Sequence, residues 1–429
     1  MVAVLALTAV LGTAAAAPAA AAPPEPRLQA KAWSLIDARS GDALAGKAVG
    51  RELPIASATK LMTAYLAVER LPLRRRVKAP RYPAGPVESV LGLQPGERLT
   101  VKDLLYALVL RSANDAAATL AQAVSGSERR FVRAMNRAAA ALGLTGTHYT
   151  NPVGLDDPGN HSTAQDLVAL ARRLLQNPTF ADAAASRTAV LKSGRKARRI
   201  VTRNTLALRE PWVTGVKTGH TLGAGYVLVG SARRNGVELV SAVLGTRSEA
   251  ARDSETRKLL EYGFSLYQRR NVAAKGAPLA AAEIQYRDGA LPLVAGRGLR
   301  ITLREDQRVA TRVQAPDEVE GPIDAGQQLG RLSVSVDGRP AGSVPLVAAR
   351  SVPAASFARK AASGALIPVA VVALGAFVIV VGMRRRPRRA PAETADHDRA
   401  VGQEELSEMR ENRRRLREER RRTGKERPR

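Results

Sequence analysis

Residues 226–244 read YVLVGSARRNGVELVSAVL, two apolar runs separated by a short polar turn. The turn contains Asn235-Gly236, and both residues tolerate the left-handed backbone that a tight hairpin needs. The runs 226–232 and 237–244 therefore predict two antiparallel strands. This hairpin places strands towards the C-terminal end of the mixed segment of residues 31–270.

The sequence on either side of the hairpin predicts further strands and helices. Residues 32–37 and 43–45 predict two strands around the turn Ser40-Gly41-Asp42. Apolar residues at helical spacing predict helices over six segments: 57–68, 101–110, 115–126, 127–142, 163–175 and 254–267. We therefore expect residues 31–270 to form one mixed α and β domain, with helices in the middle and strands towards both ends.

Residues 271–352 show strand periodicity alone. Apolar residues alternate with polar ones over 299–303 and 332–336, and Asp337-Gly338 then predicts a turn into a strand near Val344. About 80 residues suffice for a small separate domain. We expect an all-β domain here, followed by a short linker.

Both ends of the chain carry apolar runs. Residues 1–22 lead into Pro23-Pro24 and predict a secretory signal peptide, although no basic residue precedes the run; an uncleaved anchor is the alternative. Residues 364–383 are uncharged and long enough to span a bilayer, and five arginines follow between 384 and 389. We expect a single-pass cell-membrane protein with its folded part outside and a cytoplasmic tail at 384–429, the alternative for 364–383 being a buried core helix.

The composition of the 429 residues excludes several classes of protein. Lys and Arg number 67 against 39 Asp and Glu, a net charge of +28 that would suit nucleic acid or an anionic surface. The export signals favour an anionic envelope or lipid surface, so we predict no nucleic-acid partner and leave the partner of the tail open. Without cysteine, thiol nucleophiles and disulfides are excluded. With only four histidines we predict no metal site, and no cofactor.

The first of three chemical motifs is Ser57-Ala58-Thr59-Lys60, at a predicted helix start. Residues three apart share a helix face, so the Lys60 amine can reach the Ser57 hydroxyl. A serine becomes a nucleophile beside a base, and a lysine can be that base once burial lowers its pKa. Taken alone, the motif is equally a capping serine followed by a solvated lysine.

The second motif is Ser112-Ala113-Asn114, between two predicted helices. A second hydroxyl can relay a proton, and an amide side chain can both donate to and accept from a peptide substrate. Taken alone, it is equally a polar loop that caps the next helix.

The third motif is Lys217-Thr218-Gly219, at the entry to the strand region. Lys217 and Thr218 suit a substrate carboxylate, and Gly219 allows a substrate backbone to approach closely. Its plain alternative is an ordinary polar strand end.

Together the three motifs, in this order, match the set found in penicillin-binding proteins and class A β-lactamases. The chain resembles the low-molecular-mass penicillin-binding proteins, the serine-type D-alanyl-D-alanine carboxypeptidase family. Similar stretches cover about residues 31–350, and include NPVGLD at 151–156 and GVKTGHTLGAGY at 215–226. Ala113 departs from the S-D-N form of β-lactamases, which favours a carboxypeptidase.

The resemblance implies an α/β (α+β) fold of the penicillin-recognising serine transpeptidase and β-lactamase type, with a five-stranded antiparallel sheet flanked by helices. It also implies that Ser57 attacks the terminal D-Ala–D-Ala bond of a peptidoglycan stem peptide and that β-lactams acylate the same serine. Lys60 would be the general base and Ser112 would carry a proton to the leaving amine. Asn114 would hold the substrate backbone.

The same resemblance assigns the carboxylate and oxyanion subsites. Lys217 and Thr218 would bind the terminal carboxylate beside Gly219, and backbone N–H groups of Ser57 and His220 would form the oxyanion hole. Arg252 matches an arginine that the family places near the carboxylate, and is otherwise a surface arginine at a helix start. Arg203 is a weaker candidate.

Three other functions stay open at this point. A D,D-endopeptidase or a β-lactamase would use the same fold and the same serine. A non-catalytic penicillin-binding wall protein would keep the fold without turnover, although the intact motifs argue against it.

Overall fold

The computed structural model of the chain describes residues 23–362. The predicted signal peptide (1–22), membrane helix (364–383) and tail (384–429) lie outside the described residues. Within residues 23–362, no helix combines the length and apolar character that a membrane crossing requires.

A five-stranded antiparallel sheet forms the centre of the mixed α and β domain, as expected. Its strands are β1 (Ala32–Asp37), β2 (Ala43–Lys47), β9 (Val213–Thr221), β10 (Gly225–Arg234) and β11 (Val237–Thr246). Their order across the sheet is β2-β1-β11-β10-β9. The predicted hairpin is confirmed: Arg234 pairs with Val237, and both Asn235 and Gly236 have positive φ. Residues 213–246 therefore complete a sheet that the two N-terminal strands begin.

Alternation along the strands gives the sheet two buried faces. On one face Ile36, Val240 and Ala242 join the large core that the helices share. On the other, Leu35 and Leu239 pack with apolar residues of the last long helix. Successive residues of a strand point to opposite sides, so one strand supplies both cores.

Helices cover both faces of the sheet, with bounds close to those expected. They are α1 (Lys60–Arg70), α2 (Val101–Tyr106), α3 (Asn114–Ser125), α4 (Glu128–Ala141), α5 (Ala164–Leu175), α6 (Pro178–Ala185), α7 (Thr205–Arg209) and α8 (Glu249–Ser265). Short strands join them: β3 (Leu53–Pro54), β4 (Arg76–Lys78), β5 (Arg98–Thr100), β6 (His161–Ser162), β7 (Thr188–Leu191) and β8 (Arg198–Val201).

The predicted helix over 254–267 is wrong at both ends. The helix begins earlier because the Ser248 hydroxyl accepts a hydrogen bond from the N–H of Ala251, which caps α8 at Glu249. It ends at Ser265, and Tyr267 opens a strand that pairs with Arg304. A strand therefore crosses the boundary that we expected near residue 270.

The C-terminal domain is all-β, as expected. Its strands are β12 (Tyr267–Ala273), β13 (Pro278–Ile284), β14 (Ala290–Ala295), β15 (Leu299–Arg304), β16 (Val309–Gln314), β17 (Glu318–Val319), β18 (Gln328–Val336) and β19 (Arg339–Ala348). Six of them form the sheet β16-β18-β19-β14-β13-β17, and β12 pairs with β15. Arg304 donates to the Asp42 carboxylate at 3.1 Å, so a charged contact joins these strands to the turn between β1 and β2.

A second, smaller compact unit comprises residues 284–289, 320–322 and, in its described part, 353–362. It contains the short helix α9 (Phe357–Ala362). The Arg287 guanidinium donates to the carbonyl oxygens of Pro353 and Ala354 at 3.0 and 3.1 Å. Lys360 pairs with Glu320 in the same unit.

Candidate active site

Ser57 lies on a 3₁₀ turn, Ala56–Thr59, that runs directly into α1. Ala56 has a left-handed backbone with φ of 48°, a conformation that costs a non-glycine residue energy and that often accompanies functional sites. Ser57 itself is half-buried. The turn therefore exposes the hydroxyl at the start of a buried helix.

Lys60 is buried and points back at the serine, as the motif predicted. Its Nζ lies 2.8 Å from the Oγ of Ser57 and donates to the carbonyl oxygen of Val153 at 2.6 Å. The pKa of Lys60 is lowered to about 7, chiefly by burial; the positive charge of Arg203 acts in the same direction, and the negative charges of Glu88 and Asp115 oppose it. A substantial share of Lys60 is thus neutral at physiological pH and able to accept a proton.

The segment that holds Lys60 is the NPVG stretch. The Oδ1 of Asn151 accepts hydrogen bonds from the backbone N–H groups of Val153 and Gly154, at 3.2 and 2.6 Å. Gly154 has φ of +84°, and a Cβ there would lie 1.9 Å from the carbonyl oxygen of Ala56. Only glycine allows this segment to pack against the turn that carries Ser57.

Ser112 follows an irregular helix end. After α2 the chain forms a π-helical turn, Ala107–Arg111, and Ser112 then adopts a left-handed backbone with φ of 59°. Its Oγ accepts a hydrogen bond from the Nζ of Lys217 at 3.0 Å. Each of the two motif serines is therefore paired with a lysine, and Ser112 follows a π-helical turn of the kind that is frequent at functional sites.

Lys217 is buried on β9, and its Nζ also donates to the carbonyl oxygen of Thr218 at 2.7 Å. Burial holds the pKa of Lys217 well below its usual range, and the nearby cations Lys60, Arg203 and Arg252 act in the same direction. The two bonds place Lys217 beneath Ser112. Its observed contacts fit the expected influence on Ser112, and direct carboxylate binding by Lys217 stays a prediction.

Gly219 and His220 lie where β9 passes the nucleophile. A Cβ at Gly219 would lie 3.0 Å from the carbonyl oxygen of Ile55 and 3.1 Å from the backbone nitrogen of Ser57. The glycine is thus required by the approach of β9 to the serine turn, a reason that the sequence analysis did not foresee. His220 is exposed and its ring stacks on Tyr226, 4.0 Å between centroids.

Asn114 begins α3, and its amide meets a residue that the motifs did not include. The Nδ2 of Asn114 donates to the Oε2 of Glu88 at 2.6 Å, and the hydroxyl of Tyr82 donates to the same oxygen. Glu88 lies in a loop with no family motif among those we recognised. Only the folded chain brings it to Asn114.

Two arginines stand near the lysines. Arg252 is buried, and its guanidinium donates to Asp253 at 2.7 and 2.9 Å and to the hydroxyl of Thr205 at 3.0 Å. Arg203 is exposed and donates to the hydroxyl of Ser89. The positive charge of Arg203 lowers the pKa of both Lys60 and Lys217.

Comparison with known proteins agrees with this geometry. The family model described as D-alanyl-D-alanine carboxypeptidase matches residues 18–248, and the model described as penicillin-binding protein 5, C-terminal domain, matches residues 267–354. The chain is 30% identical over 339 residues to the D-alanyl-D-alanine carboxypeptidase DacF of Bacillus subtilis, covering 77% of this chain and 87% of DacF.

Solved structures of penicillin-binding proteins and D-alanyl-D-alanine carboxypeptidases are also similar to this chain. Penicillin-binding protein 5 of Haemophilus influenzae is 28% identical with a TM-score of 0.55, over 77% of this chain and 99% of that one. A D-alanyl-D-alanine carboxypeptidase of Mycobacterium tuberculosis is 37% identical with a TM-score of 0.54, over 58% of this chain and 95% of that one.

Proposed function

Because the chain belongs to the D-alanyl-D-alanine carboxypeptidase family, we propose that Ser57 is the nucleophile that cleaves the terminal D-Ala from peptidoglycan stem peptides. The chain is a serine-type carboxypeptidase of the penicillin-binding class. The observation that carries the assignment of Ser57 is the 2.8 Å contact between its Oγ and the buried Lys60 amine. A base this close is what a serine hydroxyl needs to attack a carbonyl.

Acylation then follows from the positions of the two lysine–serine pairs. Neutral Lys60 takes the proton of Ser57 as Oγ bonds to the substrate carbonyl carbon. The backbone N–H groups of Ser57 and His220 stabilise the oxyanion. As the peptide bond breaks, Ser112 gives its proton to the departing D-Ala amine, and the proton that Lys60 took from Ser57 passes on to Ser112, so that Lys60 is neutral again. Lys217, 3.0 Å away, holds the Ser112 oxygen during this transfer.

The acyl-enzyme ester is next hydrolysed by water. Lys60 returns as the base: it takes a proton from the water, whose oxygen bonds to the ester carbonyl, and Ser57 leaves with a proton restored. The shortened stem peptide is released. A β-lactam enters the same first step, but its ring opens without losing a group, so the acyl-enzyme persists.

Substrate binding would use cations and amides around this centre. Thr218 and the exposed Arg203 would meet the peptide carboxylate, and Lys217 and Arg252 would contribute to the local charge. Asn114 would hold the substrate backbone through its amide oxygen, because its nitrogen is bonded to Glu88.

Three substrates test this assignment: a peptide ending in D-Ala–D-Ala, a cross-linked muropeptide and a penicillin. We expect released D-alanine from the first and a stable adduct on the peptide containing Ser57, found by mass spectrometry, from the third. Ser57→Ala should lose both. Cleavage of the cross-link without D-alanine release would instead indicate an endopeptidase, and rapid turnover of the penicillin would indicate a β-lactamase.

We also propose that residues 1–22 export the chain and that residues 364–383 anchor it in the cell membrane, with the catalytic domain outside. The uncharged run followed by arginines supports this topology. Protease treatment of intact cells tests it: the outer domain should be cleaved while a tag after residue 429 is protected. A variant ending at residue 362 should be released from the membrane fraction.

A further inference from the structure

The loop of residues 79–97, between β4 and β5, brings a carboxylate into the site. Glu88 accepts three hydrogen bonds there: from the Nδ2 of Asn114 at 2.6 Å, from the hydroxyl of Tyr82, and from the backbone N–H of Gly85 at 2.9 Å. With three donors on two oxygens, Glu88 is held in one orientation.

The loop is fixed to the residues that follow Ser112. The backbone N–H of Asn114 donates to the carbonyl oxygen of Ser89 at 2.7 Å. The carboxylate of Asp115 accepts from the backbone N–H groups of Leu91, Gly92 and Leu93, at 2.8 to 3.1 Å. Two consecutive residues at the start of α3 therefore fix the part of the loop that directly follows Glu88, so the carboxylate occupies a defined place.

Glu88 is ionised in this place. Burial raises its pKa, but the hydrogen bonds from Tyr82, Asn114 and Gly85 outweigh burial and leave the pKa of Glu88 lower than usual. Its charge acts on Lys60, where it opposes burial and raises the pKa of the amine. The other charged groups acting on Lys60 and Lys217 are Asp115 of α3, Arg203 after β8 and Arg252 of α8.

The amide of Asn114 can bind a peptide in only one way under these constraints. A carboxylate accepts hydrogen bonds and does not donate them, so the Asn114 nitrogen must face Glu88. The amide oxygen is then left to accept from a substrate N–H. Without Glu88 the amide could rotate, and its two ends would compete for the substrate.

We propose that Glu88 is a positioning residue for the acyl-transfer reaction: it orients the amide of Asn114 and places a negative charge beside the base Lys60. This inference rests on the proposed function of the same site. Glu88 touches no reacting atom; it acts through Asn114 and Lys60. Its two effects are separable, because one depends on hydrogen-bond geometry and the other on charge.

The test is the pH profile of D-alanine release by the full-length protein, its Glu88→Gln variant and its Tyr82→Phe variant. Loss of the charge in Glu88→Gln should lower the pKa of Lys60 and move the acid limb of kcat/KM to lower pH by about half a unit or more. Loss of the orientation of Asn114 should reduce the plateau of kcat/KM roughly 10- to 100-fold.

The matched control keeps the carboxylate. Tyr82→Phe removes one donor to Glu88 but neither its charge nor its bond to Asn114, so the acid limb should stay at the wild-type pH. Glu88→Asp should retain the wild-type limb even if its shorter reach lowers the plateau. A structural role alone would lower the plateau and the melting temperature without moving the limb.

Failure of this inference differs from failure of the proposed function. If the wild-type protein releases no D-alanine and Ser57 takes no penicillin adduct, the function itself is wrong. If the wild type is active and Glu88→Gln keeps both its rate and its acid limb, Glu88 has no positioning role. If the limb of Glu88→Gln moves to higher pH, the assigned effect of its charge is wrong.

Discussion

The Nζ of Lys60 donates to the carbonyl oxygen of Val153 at 2.6 Å, although 93 residues separate the two. The same nitrogen lies 2.8 Å from the Oγ of Ser57. A neutral amine has two N–H groups and one lone pair. With one N–H directed at Val153, the lone pair can be directed at Ser57, so a loop distant in sequence orients the base.

A first prediction concerns the pH dependence of acylation. Because burial lowers the pKa of Lys60 to about 7, and only the neutral amine can accept the proton of Ser57, kcat/KM for D-alanine release should rise with pH and level off above about 7. Stopped assays of D-alanine between pH 5 and pH 9 measure this limb. Lys60→Arg should lower kcat/KM about 10²- to 10⁴-fold, since arginine stays protonated. A profile independent of pH would contradict the role of Lys60.

Removing the charge of Arg203 should shift the acid limb of kcat/KM in the direction opposite to that expected on removing the charge of Glu88. Its positive charge lowers the pKa of Lys60, so Arg203→Ala should raise that pKa and move the acid limb to higher pH. KM for a D-Ala–D-Ala peptide should also rise, because an exposed cation beside the site is lost. Arg209→Ala is a suitable control, since Arg209 is exposed but is paired with Asp253. An unchanged limb in Arg203→Ala would show that this charge does not reach Lys60.

Gly154 should be intolerant of any side chain. A Cβ at this position would lie 1.9 Å from the Ala56 carbonyl oxygen, so Gly154→Ala must displace either the NPVG segment or the turn that carries Ser57. We expect a lower melting temperature and penicillin acylation at least about 10-fold slower, since misplacement of a reacting group by about 1 Å can cost 10²-fold.

The control for this substitution is Gly143→Ala. Gly143 also has a positive φ, of 71°, but a Cβ there would meet no atom within 4 Å. It should lose about 1–2 kcal/mol of stability from backbone strain and keep the wild-type acylation rate. Equal acylation by the two variants would show that the packing of Gly154 does not set the geometry of Ser57.

Glu97 should be a main determinant of stability near the loop of residues 79–97. It is buried, and its carboxylate accepts two hydrogen bonds from Arg198, at 2.8 and 3.0 Å, and one from the N–H of Arg195. Glu97→Ala leaves Arg198 without its partner and should cost about 3–5 kcal/mol. Urea unfolding measures this loss, and Arg198→Met added to Glu97→Ala should recover part of it.

The carboxylate of Glu97 should also make the stability of the protein fall at low pH. Hydrogen bonds from Arg198 lower the pKa of Glu97 to about 2, so its contribution is complete above the usual pKa of 4.5 and is lost as the pH falls towards 2. Unfolding free energies of the wild type should therefore decline through this range more steeply than those of Glu97→Ala. Parallel curves would contradict the assignment.

The contacts within the motifs could be predicted from the sequence because they depend on local geometry. Ser57 and Lys60 stand three residues apart where a helix starts, and that spacing alone brings their side chains together. The hairpin around Asn235-Gly236 was equally local, because the backbone preferences of two residues define the turn. Both predictions are confirmed by the structure.

The contacts across the chain could not be predicted in this way. The bond from Lys60 to Val153 and that from Asn114 to Glu88 join segments whose meeting depends on the packing of several helices. Neither acceptor has a distinctive sequence pattern: one is a backbone carbonyl and the other a single carboxylate in a loop. A role of Gly219 towards substrate could be predicted. Its packing against Ser57 could not, because only the folded chain brings β9 against the serine turn.

The packing of Gly219 against the turn that carries Ser57 limits which substitutions could make the enzyme resistant to a β-lactam. The wall opposite Ser57 is backbone, and any side chain added at Gly219 would press on Ile55 and on the nitrogen of Ser57. A bacterium cannot narrow this gap against a β-lactam without disturbing the nucleophile that cleaves its own cell-wall peptide. Substitutions in this protein that confer resistance should therefore not map to position 219.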